Sequence, residues 1–106
     1  MNYSENVWRF LVESRHMKTE FERGSQRVFR FPNGFGASVV KRVFSGGLSG
    51  TYGATEGRYE LAVLAFSSED SRGLTYETPI TNDVLGWLTP DEVEAHLQAI
   101  ANLWVV

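Results

Sequence analysis

The sequence predicts an α+β domain, an antiparallel meander sheet of about four strands with an N-terminal helix and a C-terminal helix packed on it. Three observations predict this class. Apolar and polar residues alternate through the middle of the chain, Asn33-Gly34 separates two of these runs, and a strong helix start stands at Thr89-Pro90. A chain of 106 residues can build one modest core, so we expect a single domain over residues 1–106.

The N-terminal segment carries apolar residues at helical spacing. Ser4 is a candidate cap, and Val7 and Phe10 begin an apolar stripe that predicts a helix over residues 5–16. Residues 17–24 leave helix and strand both open, because apolar and charged side chains alternate there. Gly24-Ser25 is expected to end this segment.

The firmest β prediction is a hairpin around Pro32-Asn33-Gly34. Arg27 to Phe31 is rich in aromatic and β-branched residues, and Phe35 to Phe44 is the matching return strand. Asn-Gly favours a tight reversal because both residues accept a positive φ.

Two further strands are predicted after a glycine-rich loop over residues 45–57. Arg58 to Phe66 resembles a central strand because it is apolar on both faces. Residues 67–73 are a polar turn, and Leu74 to Thr78 form a fourth strand that Pro79 ends, since proline cannot donate a ladder hydrogen bond.

The C-terminal helix has the clearest local signals. Thr89 is the N-cap, Pro90 occupies the first helical position, and Glu92 completes a capping box with Thr89. Asp91 adds negative charge at the positive end of the helix. The apolar stripe expected to cover the sheet consists of Val93, Leu97, Ile100 and Trp104, with Ala101 alongside.

Composition narrows the function classes. The chain has no cysteine, so disulfides, thiol nucleophiles and thiolate metal sites are excluded. We expect no signal peptide and no membrane partner, because no apolar stretch approaches the roughly 20 residues of a membrane span. The net charge of −3 is uneven, with basic residues concentrated before residue 43 and acidic residues after residue 68. This asymmetry either steers a charged partner or is neutralised within the fold.

Catalytic patterns are weak. His16 and His96 each stand on a predicted helix, without the spacing of a metal site, and no nucleophile elbow or phosphate loop occurs. Carboxylates near predicted strands and turns could pair for acid–base chemistry, but the sequence does not fix their separation. We therefore expect no enzymatic activity, no catalytic residue, no cofactor and no metal. The carboxylates concerned are Glu56, Glu60, Glu77 and Asp83.

Aromatic residues near loops and at the C-terminus indicate a binding role, since Tyr and Trp dominate interface hot spots. Tyr52, Trp87 and Trp104 are the candidates. Trp87 also fits the apolar position before an N-cap, where a side chain packs against the helix. Hairpin arginines interleaved with phenylalanines would suit single-stranded nucleic acid. Because the net charge is acidic, we interpret this alternation as the pattern of a half-buried sheet, and direct nucleic-acid binding is not expected. The residues in question are Arg27, Arg30, Lys41 and Arg42 with Phe29, Phe31 and Phe35.

Three stretches resemble small, uncharacterised bacteriophage proteins: Phe31-Pro-Asn-Gly-Phe-Gly-Ala-Ser-Val-Val40, Glu56-Gly-Arg-Tyr-Glu-Leu-Ala-Val63 and the run from Leu74 to Thr89. The similarity covers about residues 28–98. It implies a phage accessory protein that works in the cytoplasm of a bacterial host. By analogy, small acidic phage proteins without catalytic motifs resemble inhibitors of host defence, including anti-CRISPR proteins.

The sequence therefore favours a non-enzymatic protein that binds and inhibits a host or phage protein with a basic surface. An acidic surface would make the contact, with two aromatic anchors. Two alternatives stay open: a small-molecule or nucleotide binder that closes residues 45–57 over an anion beside Arg58, and a weak single-stranded nucleic-acid binder. Homo-oligomerisation is also left open. The expected contact residues are Glu77, Asp83, Asp91, Glu92 and Glu94, with Tyr52 and Trp87 as anchors.

Overall fold

A computed structural model of the protein describes residues 7, 9–18, 22–44, 48–49, 51, 58–66, 72–74 and 84–103. Within them, one antiparallel sheet carries a C-terminal helix on one face, so the predicted α+β class is confirmed. The elements are β1 (Leu11–Lys18), β2 (Glu22–Arg30), β3 (Phe35–Phe44), β4 (Leu48–Ser49), β5 (Tyr59–Phe66), β6 (Arg72–Leu74), β7 (Leu85–Leu88) and α1 (Pro90–Ala101).

The main strand order is β1-β2-β3-β5-β6, with β4 paired to β3 and β7 paired to β5. The predicted meander corresponds to β2, β3, β5 and β6. The predicted strand count is too low, because β1, β4 and β7 also pair. Of the predicted fourth strand, Leu74 ends β6, and residues 75–78 lie outside the described part of the chain.

The N-terminal helix predicted over residues 5–16 is wrong from Leu11 onward, where β1 pairs with β2. A register irregularity between Leu11 and Glu13 explains the misleading spacing. It leaves Leu11 packed against the core while Val12 is 56% exposed, so apolar residues do not follow a plain alternation. Pairing with β2 satisfies backbone groups that would otherwise lie unpaired at a sheet edge. His16 is therefore on a strand and not on a helix.

Gly24-Ser25 does not end a segment but lies inside β2. A Cβ atom at Gly24 would collide with the carbonyl oxygen of Lys41 on β3. Gly24 therefore allows the backbones of β2 and β3 to approach closely, which is a common reason for a glycine inside a strand.

The predicted hairpin is confirmed, but its turn differs in detail. Phe31 N donates to Phe35 O over 2.8 Å and Gly34 N donates to Phe31 O over 3.1 Å. Gly34 has a φ of 86°, whereas Asn33 keeps a negative φ. Pro32 presets the backbone of a type I turn, and the left-handed glycine then completes a three-residue loop.

The core lies between α1 and the face of the sheet that it covers. Val93, Leu97 and Ile100 are fully buried, as predicted, and each contributes about 2 kcal/mol by burial. Trp104 lies outside the described residues. The sheet side of the core consists of Phe29, Phe31, Ala37, Val39, Tyr59, Leu61 and Val63.

The opposite face of the sheet also contains buried residues. Val28 and Leu64 are 0% and 5% exposed, and Ser38 accepts a hydrogen bond from Gln26 Nε2 at 3.0 Å. In the region predicted as a loop over residues 45–57, β4 pairs with the end of β3, and Thr51 Oγ1 accepts from Arg42 N at 3.1 Å. None of the described helical segments is long and apolar enough to cross a bilayer.

Candidate protein-binding surface

Trp87 is the most unusual described residue of the chain. Its indole is 53% exposed and its backbone has a φ of 61°, in the left-handed region. Bulky L-residues rarely adopt this conformation, because Cβ approaches the following carbonyl oxygen. The strand β7 explains the geometry: Leu88 pairs with Tyr59 and is buried, and the pairing with β5 is irregular between Tyr59 and Leu61.

Arg58, the residue directly before β5, forms a hydrogen bond to the backbone of Trp87. Its Nη1 donates to the backbone oxygen of Trp87 at 3.2 Å and lies 3.7 Å from Oε1 of Glu92. The side chains of Arg58 and Glu92 are 41% and 53% exposed, so solvent weakens the ion pair. The position of Arg58 matters more than the energy of this ion pair, because its guanidinium joins β7 to the first turn of α1.

The capping box predicted for α1 is confirmed. Glu92 N donates to Thr89 Oγ1 at 3.2 Å, and Thr89 N donates to Glu92 Oε1 at 3.0 Å. The hydrogen bonds from the Thr89 backbone and side chain lower the pKa of the Glu92 carboxyl below its usual value, and Arg58 and His96 lower it further. Glu92 is therefore a charged group held at the start of α1.

The acids of α1 do not form one continuous patch. Asp91 and Glu92 lie exposed in the first turn, whereas Glu94 is half-buried and its Oε1 accepts from Gln98 at 3.1 Å. Residues two apart on a helix point about 160° away from each other, so Glu92 and Glu94 lie on opposite flanks. The first-turn acids therefore follow Trp87 closely along the chain, and Arg58 contacts both the Trp87 backbone oxygen and Glu92, whereas Glu94 lies on another flank of α1. Tyr52, Glu77 and Asp83 lie outside the described residues.

The hairpin does not present the aromatic platform considered from the sequence. Phe29 and Phe31 are 0% and 1% exposed, and Phe35 packs against the same core. Their rings stack on protein and leave no face for a base.

A cleft of about 520 Å³ lies at the other end of α1. Asn33, which contributes to it, donates to the oxygens of Ile100, Ala101 and Leu103 at 2.8, 3.3 and 3.0 Å. These bonds occupy the amide donors, so Asn33 fastens the hairpin to the helix end. The described residues around the cleft are Val7, Arg9, Phe10, Pro32, Asn33, Gln98, Ala101 and Asn102.

The sequence patterns do not predict the structural roles of Arg58 and Asn33. Arg58 was considered only as a partner for an anion, and Asn33 only as a turn residue. Their contacts span 29 and up to 70 positions along the chain, so no local pattern reports them. An arginine at the start of a central strand and an amide in a tight turn are the weak hints that the sequence offers.

Groups of titratable residues suited to metal binding are absent from the described ranges, where no three His, Asp or Glu side chains converge. Chemically, the surface around Trp87 offers an aromatic face, a fixed carboxylate and an exposed carboxylate at a helix N-terminus. In comparisons with known proteins, the chain matches no protein family, no curated protein sequence and no solved structure.

Proposed function

We propose that this chain is a non-enzymatic phage accessory protein that binds a host or phage protein and inhibits it. The contact surface would comprise Trp87, Asp91 and Glu92, and the partner would present a basic surface. The proposed phage origin, the anti-defence role and the host cytoplasm as its location are supported by the sequence resemblance alone.

The observation that carries the proposal is an exposed tryptophan on a strained backbone. A left-handed conformation costs a bulky residue about 1–2 kcal/mol, and an indole that is half exposed returns only part of its burial energy. Strained residues that the surrounding structure holds in place cluster at functional sites. Tryptophan is also among the residues that most often dominate a protein–protein contact.

The charge of the surface supports a basic partner. Asp91 is exposed in the first turn of α1, and Glu92 carries a negative charge fixed by Thr89. Arg58 offsets part of that charge, so Asp91 is the better position for a charge reversal. Reversal of Glu92 would also remove the capping box and would confuse loss of binding with loss of stability.

The test is a pull-down from bacterial host lysate with mass spectrometry, comparing Trp87→Ala with Val12→Ala. Val12 is the matched control because it is a large apolar residue of similar exposure, on β1. A partner retained by Val12→Ala, lost by Trp87→Ala and weakened by Asp91→Lys supports the proposal. The purified partner should then lose activity when the wild-type chain is added. Identical captured proteins in the two alanine variants would refute the assignment of this surface.

A further inference from the structure

The sheet carries a cluster of basic residues on the face that holds α1, beyond the part that the helix covers. Lys18 on β1 is directly opposite Arg23 on β2. One row further along the strands, His16 is opposite Ser25, which is itself opposite Lys41 on β3. Directly paired residues share a face of the sheet. We call this set the cationic face; it comprises His16, Lys18, Arg23 and Lys41.

The strand registers place these residues on the face opposite to the described acids of the same three strands. Among the described residues of β1, β2 and β3, the acids are Glu13 and Glu22, and both occupy positions of the opposite face. The helix α1 packs mainly on β3, β5 and β7. His16, Lys18 and Arg23 are exposed, and Lys41 is half-buried. The cationic face is therefore open to a ligand.

The cluster is compact. Neighbouring strands lie about 4.8 Å apart and alternate residues of a strand about 6.8 Å apart, so the four residues fall within roughly 10 × 7 Å. Like charges directly opposite each other destabilise a sheet, as Lys18 and Arg23 do here.

We propose that the cationic face binds the phosphate backbone of a nucleic acid. Protein partners are usually anchored by apolar or aromatic residues at the centre of a contact, and this face offers cations instead. The ring of Tyr59, which Lys41 contacts, belongs to a residue that is 9% exposed, and its centroid lies 5.3 Å from the Lys41 ammonium group. In the described parts of β1, β2 and β3, no exposed aromatic ring lies on this face, so the contact is to phosphates and is independent of base sequence.

This inference does not depend on the function proposed above, since it uses β1, β2 and β3 and not the turn before α1. It also differs from the single-strand alternative considered from the sequence. That alternative used hairpin phenylalanines, which the structure buries, and it included Arg30 and Arg42, which occupy the other face.

The test measures binding of fluorescent oligonucleotides by anisotropy over a salt series. The probes are a DNA duplex and a single-stranded RNA, each of about 20 nucleotides, which distinguishes the two sources of phosphate. The variants are Lys18→Glu and Arg23→Glu. The matched control is Arg15→Glu, which lies exposed on β1 opposite Gln26, at a position on the other face. All three variants change the net charge equally.

If about three phosphates are neutralised, the logarithm of the affinity falls against the logarithm of salt with a slope of about −2 to −3. Lys18→Glu and Arg23→Glu should each weaken binding about tenfold and reduce the slope by about one, whereas Arg15→Glu should change affinity by about twofold or less. Lys18→Glu also creates an opposite-charge pair with Arg23, so its melting temperature should not fall.

Three results would overturn the proposal. The first is no binding of either probe at low salt, and the second is an equal loss of affinity in Arg15→Glu and Lys18→Glu. The third is self-association that Lys18→Glu abolishes without any oligonucleotide binding, since the occupant would then be an acidic surface of a second copy.

Discussion

Because the backbone of Trp87 is left-handed, we predict that the Trp87→Gly variant is more stable than the Trp87→Ala variant. Trp87→Gly and Trp87→Ala remove the same half-buried indole, so the lost burial cancels when the two variants are compared. Alanine keeps the left-handed cost of about 1–2 kcal/mol that a φ of 61° imposes, and glycine avoids it. Glycine loses about 0.5–1 kcal/mol more through backbone entropy on folding. At the middle of these two ranges, the balance favours Trp87→Gly by about 0.75 kcal/mol.

Urea denaturation of the two variants measures this difference directly. By thermal unfolding, it corresponds to a melting temperature about 2–6 °C higher for Trp87→Gly. The control is Ala95→Gly, at an exposed position inside α1, where glycine should cost about 1 kcal/mol. Equal stability of the two Trp87 variants, or greater stability of Trp87→Ala, would refute the reasoning from backbone strain.

Three further predictions follow from contacts elsewhere in the molecule. Asn33→Ala should lower the free energy of unfolding by about 2 kcal/mol in urea denaturation, because the carbonyls of Ile100, Ala101 and Leu103 lose their amide donor; an unchanged midpoint would contradict that role. Gly24→Ala should destabilise by about 1–3 kcal/mol through the clash with Lys41 O, while Gly73→Ala, with open space at Cβ, should not destabilise; similar melting temperatures for the two would contradict the close approach of β2 and β3. The pKa of Glu92 is lowered in the folded state, so its contribution to stability is present above the unfolded pKa and is lost as pH falls through the folded value, below the ordinary 4.5. Denaturation at a series of pH values should show this loss in the wild type and a smaller one in Glu92→Gln, and parallel profiles would contradict it.

The parts of the fold that the sequence predicts well are those encoded locally. Thr89, Pro90 and Glu92 specify the start of α1 within four residues, and Pro32 to Gly34 specify the hairpin within three. The strand β1 is encoded differently. Its apolar residues fit helical spacing, and its strand conformation depends on pairing with β2 and on the irregularity after Leu11. Tertiary pairing overrides the local pattern there.

The candidate surfaces were predictable only in part, for the same reason. Trp87 stands out in the sequence as an aromatic residue before a helix, but no local pattern indicates its left-handed backbone or its hydrogen bond with Arg58, which lies 29 positions away. The cationic face depends on strand register. A shift of one residue between β1 and β2 would move His16 and Lys18 to the other side of the sheet.

The position of α1 after every strand has a consequence for synthesis in the cell. During translation the meander emerges first, and the side on which Val39, Leu61 and Val63 lie has no helix to cover it until Val93, Leu97 and Ile100 have been made. Until then the nascent chain exposes the apolar face of the sheet, and partly folded chains of this kind are bound by chaperones and aggregate readily. A stop codon before residue 90 would therefore yield an aggregation-prone, protease-sensitive polypeptide instead of a smaller stable domain.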